Sequence, residues 1–594
     1  MRKHQALNGS KSAIALTLGL AAAYLLAAIW VRNPYLLLIM TLVPLWATLG
    51  VSWNTFSGYS GLLSFGHAVF FGLGAYAVAV GFAQFGITPW LGLPLAAAVG
   101  ALAGLLVGIP TFGLRGVYFS LAMLAYPLAM LYVFEWLGLQ EVTLPLKREH
   151  AAAYMQFSDH RVYVLIATVM LVAAVLLQLR IGRSRFGLSL LAVKQNEMAA
   201  ETAGINPFRW KLMALVLSGA VAGLAGGLYA VVLVTVTPQS VFGLLVSAQA
   251  LIFTMFGGMG WVAGPIVGAA ILLPLSELLS ATVGARLPGI QGVLYGIAII
   301  LVVLMAPEGL LPRLAGRQSR AARRPGGPDA APDAGPAFRR EPGGAQAADA
   351  PVIMRVAGLS KRFGGLQAVS EVSFDVRQGE ILGIIGPNGA GKTTLFNLLN
   401  GIVQPSSGSV TFNGHALTGL KPFAVSRLGV GRTFQVARAF ARLSVLENVL
   451  VAALSGESDD RRARERARAA LEQVGLAAWA DERAGSLTAV QLRLMEIARA
   501  LASGPRLLLL DEILAGLGGQ EVEQVIDVLL RVRQLGVTQI IIEHTMHAMV
   551  RLADRLLVLD HGRTLFMGEP AAVTSEPAVI EAYLGKKWVQ HAAH

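Results

Sequence analysis

The chain contains no cysteine. A disulfide framework, a zinc–thiolate site, an iron–sulfur cluster and a cysteine nucleophile are therefore excluded, and no redox compartment is indicated. Charge is also scarce. Asp, Glu, Lys and Arg make up 14% of the 594 residues, against about 25% in ordinary soluble domains, so most of the chain is not ordinary soluble protein. Acidic residues are the rarer sign, 35 against 48 Lys and Arg, a formal net charge of +13. That excess suits either a nucleic-acid partner or a membrane protein whose basic residues collect on the cytoplasmic side. Glycine is plentiful at 66 residues, but without a three-residue period it excludes a collagen helix. What the chain has in quantity is apolar sequence, 55% of all residues. The length implies more than one domain.

Residues 12 to about 310 are nearly continuous apolar runs broken by short polar gaps. A membrane helix needs about 20 apolar residues. Candidate spans are 12–31, 34–52, 62–85, 88–111, 117–136, 162–180, 212–236, 246–269, 270–284 and 290–306, about ten transmembrane helices. The ninth is short and carries Pro274. The opening polar residues and first apolar run resemble a signal peptide, but the run is long and no small-residue cleavage site follows. Arg2, Lys3 and Lys11 place the N-terminus inside. Six crossings then put 181–211 inside with Arg183, Arg185, Lys194, Arg209 and Lys211, and four more put Arg313 inside. Outer loops hold fewer basic residues, among them Arg32, Lys147, Arg148, Arg161 and Arg286. The basic excess thus follows topology, and with no base-stacking platform a nucleic-acid partner is disfavoured.

Residues 313–350 are rich in Arg, Ala, Gly and Pro and lack any structural period. They read as a flexible linker between a membrane region at 1–312 and an α/β domain at 351–594. In that domain the strand-like ILGIIG leads into Gly386, Pro387, Asn388, Gly389, Ala390, Gly391, Lys392 and Thr393, and Thr394 opens a helical run. This is GxxxxGK[ST] in its strand–loop–helix context. Glycines let successive N–H groups turn inward around phosphates, and the helix N-terminus adds a favourable dipole. Lys392 can reach the β- and γ-phosphates, and the Thr393 hydroxyl can ligate Mg²⁺. The expected nucleotide is ATP. A second run, Leu507 to Leu510, ends in Asp511 and Glu512. Asp511 suits Mg²⁺, directly or through water, and Glu512 suits polarising an attacking water. The charged run 459–468 has helical spacing and reads either as a docking surface or, more simply, as a solvated helix face.

On these motifs residues 351–585 resemble the ATPase domain of ABC transporters. The resemblance implies that Phe363, in KRFGG, stacks on adenine. It implies that Gln435, in RTFQ, senses Mg²⁺ and water and reports to the membrane domain, and that His544, in IIIEHTM, is the switch histidine at the γ-phosphate. The family signature stands as Leu487-Thr488-Ala489-Val490-Gln491, with Thr488 and Gln491 expected at a partner's nucleotide. Val490 replaces a glycine whose backbone approaches the γ-phosphate, and a β-branched side chain is expected to crowd it. Gly518 stands where the family often has an acidic or amide residue. Lys392 and Glu512 are accordingly expected to act with a partner's signature, the site using Thr488 and Gln491 being weaker.

About ten spans with short loops favour an importer. Residues 181–217, with Glu197, Glu201, Ala203 and Gly204, resemble the cytoplasmic coupling loop of importer permeases, the lesser alternative being an ordinary amphipathic connector. Residues 58–77, 114–126, 199–230 and 248–269 resemble the permease of branched-chain amino acid importers, and 579–585 supports the same family. Gly66, Gly72, Gly74, Gly257, Gly258 and Gly260 are expected to permit close helix approach or local unwinding. Ser64, His67 and Gln249 are candidates for the translocation path, the other reading being helix–helix hydrogen bonds. Segment 141–161 faces outside and reads as a contact for a binding protein or as a solvated loop. The resemblance implies an all-α polytopic membrane domain fused to an α/β P-loop ABC ATPase. Implied partners are a second permease, a second ABC ATPase subunit, a periplasmic substrate-binding protein and membrane lipid, in a bacterial inner membrane. The expected activity is ATP-driven import of branched-chain amino acids or similar small amphipathic solutes. Related alternatives are urea, short amides or aromatic acids, and, further off, an ATP-gated channel or regulatory membrane ATPase.

Overall fold

A computed structural model describes residues 11–114, 116–283, 289–305, 309–313 and 350–584. Arg2, Lys3, Arg286, nearly all of the 313–350 linker and Gly585 lie outside the described residues. The chain divides into two compact units, Met1–Lys194 with Phe208–Pro325, and Gln195–Pro207 with Gly326–His594. Residues 195–207, which the sequence placed in the 1–312 region, thus cluster with the second unit.

Among the described residues of the first unit, nine helices are long and apolar enough to cross a membrane: Ser12–Trp30, Pro34–Gly58, His67–Phe85, Pro89–Thr111, Val117–Trp136, Arg161–Arg183, Pro207–Leu233, Pro238–Gly257 and Gly264–Thr282. A tenth apolar helix, Ile290–Met305, has 16 residues. Helix Pro34–Trp53 is the hub. Asn33 caps it by accepting from Tyr35 N, and Pro34 occupies its first turn, where a missing N–H costs nothing. Leu45, Leu49 and Trp53 are fully enclosed. Gly74 packs against Gly223 so closely that a Cβ would lie 2.1 Å from the Gly223 carbonyl oxygen, which is close backbone approach of the expected kind.

Three spans differ in substance from the sequence reading. The third begins at His67, not 62, because 61–66 is non-helical. The expected 246–269 span ends at Gly257, and a new 20-residue helix, Gly264–Val283, carries Pro274 inside it. The separate short span at 270–284 is therefore corrected to part of a full-length helix. The physical cause is the glycine run: φ is +133° at Gly258 and +84° at Gly260, values that side-chain-bearing residues rarely adopt. The freed backbone is satisfied within the protein, as a low-dielectric surround requires. Asn54, on the π-turn Asn54–Gly58, accepts from Gly260 N at 2.8 Å and donates to the Trp261 carbonyl at 2.9 Å. Lys194 Nζ donates to the Gly58 carbonyl at 2.7 Å. Segment 141–161 is structured: β1 (Val142–Thr143) pairs antiparallel with β2 (Thr235–Val236), and Trp90 Nε1 donates to the Ala152 carbonyl at 3.0 Å.

The second unit holds two sheets. The strands are β3 (Val352–Phe363), β4 (Leu366–Arg377), β5 (Ile381–Ile385), β6 (Ser407–Phe412), β7 (His415–Ala416), β8 (Val430–Arg432), β9 (Leu507–Asp511), β10 (Thr538–Ile542), β11 (Arg555–Asp560) and β12 (Arg563–Gly568). The larger sheet runs β12-β11-β5-β10-β9-β8, and the smaller β4-β3-β6-β7. Strands β8, β9, β10, β5 and β11 are parallel. Every residue of β5, β9 and β10 is buried, which is why Leu507–Leu510 and Ile540–Ile542 are apolar without alternation. The charged run forms helix Asp460–Gln473, with Ala463, Ala467, Ala470 and Leu471 buried and Arg461 paired to Glu465 in the open at 3.0 Å. Its charged residues are exposed in this chain.

Candidate functional site

In an open parallel sheet, ligands gather beyond the carboxyl ends of the strands. Here β10 lies between β5 and β9. Their ends bring together the loop 386–391, Asp511 with Glu512, and His544. The loop is left-handed at Gly386, Gly389 and Gly391, with φ of +154°, +84° and +95°. A Cβ at Gly391 would lie 2.4 Å from the Ala368 carbonyl oxygen, whereas at Gly389 nothing stands within 4 Å. The chain is closely backed on one side of the loop and open on the other. Helix Lys392–Leu399 starts directly after it.

Lys392 is buried, and its Nζ donates to the carbonyls of Gly386 at 2.6 Å and Pro387 at 3.0 Å. Burial lowers the Lys392 pKa, and the carboxylates of Glu512 and Asp511 oppose that shift. Thr393 is exposed. Asp511 is 2% exposed; its Oδ2 receives Arg432 Nη2 at 3.2 Å, while its Oδ1 is buried without a hydrogen-bond partner. Burial raises the Asp511 pKa, and Arg432 pulls it back. A buried carboxylate oxygen without a partner, on a residue that interacts electrostatically with Lys392, and an exposed hydroxyl at the next residue, Thr393, are oxygen donors of the type that fits Mg²⁺.

Glu512 has φ of +48°, a strained conformation for a residue with a side chain, and its N–H is tied to the Ile542 carbonyl at 2.9 Å. Both carboxylate oxygens are engaged. Gln435 Nε2 donates to Oε2 at 2.6 Å, and His544 Nε2 lies 2.7 Å from Oε1. The expected Gln435, Glu512 and His544 therefore meet at one point. Phe363 is 47% exposed at the end of β3, with Lys361 Nζ 5.1 Å from its ring centroid.

The signature residues behave differently from expectation at one position. Thr488 Oγ1 accepts from Gln491 N at 3.4 Å, and Gln491 Oε1 accepts from Thr488 N at 3.0 Å. This capping box starts helix Ala489–Ala502 by satisfying backbone donors at both positions. Thr488 and Ala489 are exposed, but Val490 is only 6% exposed. The Val490 side chain is buried within its own domain rather than exposed beside Thr488. The side chain added on the open face is the methyl of Ala489.

The sequence reading missed several residues. Arg432 ends β8 and Glu543 directly follows β10, and both are buried charges; only Glu543 had a signal, a charge at the end of Ile540–Ile542. Glu543 accepts from Leu514 N at 2.7 Å, and burial pushes its carboxyl up to about 7.

Residues 195–207 cluster with this unit. Helix Glu197–Thr202 is capped by Asn196, whose Oδ1 accepts from Ala199 N at 2.9 Å. It ends at Gly204, φ +86°, with Gly204 N donating to the Glu201 carbonyl and Ile205 N to the Ala200 carbonyl, a Schellman pattern. Arg427 Nε donates to the Gly204 carbonyl at 3.0 Å, Arg442 N to Gln195 Oε1 at 2.8 Å, and Arg438 Nη1 lies 3.2 Å from Met198 Sδ.

The candidate path residues lie in the first unit, all buried. Ser64 Oγ lies 2.9 Å from His67 Nδ1, and His67 Nε2 lies 2.8 Å from Ser218 Oγ. Gln249 Nε2 donates to Tyr295 Oη at 3.2 Å. The bonds of His67 to Ser218 and of Gln249 to Tyr295 join helices, while Ser64 lies in the non-helical stretch just before His67.

Two family models match the chain. The permease component of the branched-chain amino acid transport system matches residues 35–303, and the ABC transporter model matches 369–515. Among curated relatives, the high-affinity branched-chain amino acid transport ATP-binding protein BraF of Pseudomonas aeruginosa is 39% identical over 250 residues, which are 39% of this chain and 98% of that protein. The LivG protein of the same description from Escherichia coli K12 is 38% identical over 250 residues, 39% of this chain and 98% of that protein. A probable LivG of Archaeoglobus fulgidus is 33% identical over 245 residues, 39% of this chain and 95% of that protein. A solved ATP-binding cassette of an ABC transporter in its ADP conformation is 31% identical, covering 40% of this chain and 100% of that one, with a TM-score of 0.37. An apolar multi-helix region matched by one model, and a nucleotide-type loop domain matched by the other and by nearly whole relatives, identify the chain as a member of the ABC transporter family, a branched-chain amino acid permease component and an ATP-binding cassette in one polypeptide.

Proposed function

We propose that this protein supplies one permease and one ATPase domain to an ATP-driven importer of leucine, isoleucine and valine in a bacterial inner membrane. A periplasmic binding protein delivers the solute, and a second permease with a second ATPase completes the complex. The observation that carries the reading is the fusion of a branched-chain permease match at 35–303 to a domain in which Gln435 and His544 converge on Glu512.

In this reading the loop 386–391 and Lys392 hold the phosphates of ATP, Phe363 stacks on adenine, and a partner's signature closes over them. Thr393, Asp511 and Gln435 would hold Mg²⁺, which when bound would supply positive charge against the phosphates. Glu512 accepts a proton from water as the water oxygen attacks the γ-phosphorus, and the bond to the leaving ADP oxygen breaks. His544 holds Glu512 and senses the γ-phosphate. Gln435 leaves Glu512 to report nucleotide, which couples the site to 195–207. Thr488 and Gln491 serve the partner's ATP. Closure is passed to the membrane helices along the chain at Lys194 and Phe208. Ser64, His67 and Gln249 hold helices lining the path.

The test is uptake of labelled leucine by proteoliposomes containing the full complex, with and without the binding protein and ATP. Uptake that requires both supports the proposal. ATP-independent flux overturns the pump, and uptake of urea, amides or aromatic acids in place of leucine overturns the substrate assignment.

A further inference from the structure

Helix Ala489–Ala502 begins at the capping box of Thr488 and Gln491, and three of its residues reach the same short loop. Arg493 Nη1 donates to the Phe434 carbonyl at 3.0 Å. Glu496 Oε1 accepts from Arg438 N at 2.7 Å, and Arg499 Nη1 donates to the Arg438 carbonyl at 2.9 Å. Positions 493, 496 and 499 are three apart, so they stand in one row along a helix. The row grips the loop at both ends, at 434 and at 438, and leaves the middle open: Gln435 and Val436 are exposed, Val436 by 75%. Glu496 and Arg499 also pair with each other at 3.1 Å and are almost wholly buried. A buried ion pair contributes little net stability, so its worth here is geometric.

The grip continues outward. The Arg438 guanidinium lies over the Phe434 ring, 4.6 Å from its centroid, and its Nη1 meets Met198 Sδ. The helix that begins at the signature, the loop that carries Gln435 and the segment 195–207 are therefore linked by side chains of known geometry.

We propose that Arg493, Glu496 and Arg499 form a positioning staple that makes the signature helix, both ends of the Gln435 loop and, through Arg438, the Met198 segment move as one body. The inference rests on the transport reading for its biological use, but the staple itself does not depend on what is transported. Movement of the signature helix toward a partner's nucleotide is then carried directly to 195–207, without waiting for Gln435 to leave Glu512.

Two measurements on the full-length chain in its reconstituted complex test this. The first is amide hydrogen exchange at 434–440 and 196–204. In Glu496→Ala both segments exchange at least about tenfold faster, the factor expected when one buried hydrogen bond to a charged group is lost. In Glu496→Gln, whose Oε1 still accepts from Arg438 N, exchange returns to near wild type. Arg438→Ala loosens 196–204 alone. The second is leucine taken up per ATP hydrolysed. In Arg438→Ala and Glu496→Ala it falls about tenfold, while ATP hydrolysis stays within about twofold of wild type. If Glu496→Ala does not fold, Glu496→Gln and Arg438→Ala decide. Unchanged exchange at 196–204 in Arg438→Ala overturns the staple, as does a parallel fall of hydrolysis and uptake. Absence of leucine uptake in wild type with the exchange pattern intact overturns the substrate reading and leaves the staple standing.

Discussion

Gly204 is the residue at which a single methyl group tests the docking of 195–207 most directly. The residue is buried at φ +86°. In Gly204→Ala the left-handed backbone costs about 1–2 kcal/mol. The added Cβ would lie 2.5 Å from Ser455 Oγ and 2.8 Å from Ser455 Cβ. Ser455 Cβ cannot swing away, because it is fixed to helix Val445–Gly456, so one element must shift at a further cost of about 1–3 kcal/mol. The total, about 2–5 kcal/mol, lowers the docked population of 195–207 by about thirtyfold or more, since each 1.4 kcal/mol is tenfold. Amide exchange at 196–204 reads that change. Ser455→Gly in the same chain removes the steric part and leaves the backbone part. The double variant is therefore expected to recover most of the protection but remain about 1–2 kcal/mol short. Wild-type exchange in Gly204→Ala refutes the docking argument, and complete recovery in the double variant refutes the strain argument.

Glu512→Gln is expected to lower ATP turnover by about 10²–10⁴, the range for loss of a general base, while a fluorescent nucleotide still binds; unchanged turnover in a complex with no other active ATPase removes Glu512 from the chemistry. Glu543 carries a carboxyl raised from 4.5 to about 7 by burial. A raised carboxyl contributes stability that is complete below the unfolded value and lost as pH rises through the folded one. Wild type should therefore lose stability relative to Glu543→Gln between pH 4.5 and 7, by at most about 3 kcal/mol; a difference in Tm that is flat over this window contradicts the assignment. Asn54→Ala leaves Gly260 N and the Trp261 carbonyl without the partners they have here, and a loss of about 2–5 kcal/mol is expected from two unsatisfied groups, measured by unfolding in mixed detergent micelles.

Much of the molecule is legible in its residue order because the signals are local. Helices such as Arg161–Arg183 follow from an apolar run longer than a bilayer needs. The loop at 386–391 follows from glycines that alone tolerate its backbone. The strand at 507–511 followed by Asp511 and Glu512 follows from an unbroken apolar run closed by charge. The break at 258–263 was legible only in part: the glycines announced it, yet a span over 246–269 ran through it, since hydropathy does not register φ.

The sequence by itself determined the apolar helical region, the glycine loop at 386–391 and the order of the two regions, because each depends on neighbouring residues alone. The tertiary structure decided where Val490 points, which residue holds Asp511, and that residues 493, 496 and 499 reach around Gln435. Those facts depend on contacts between segments that are tens of residues or more apart in the chain. No periodicity encodes such a contact, and only the folded chain brings its two ends within hydrogen-bond range.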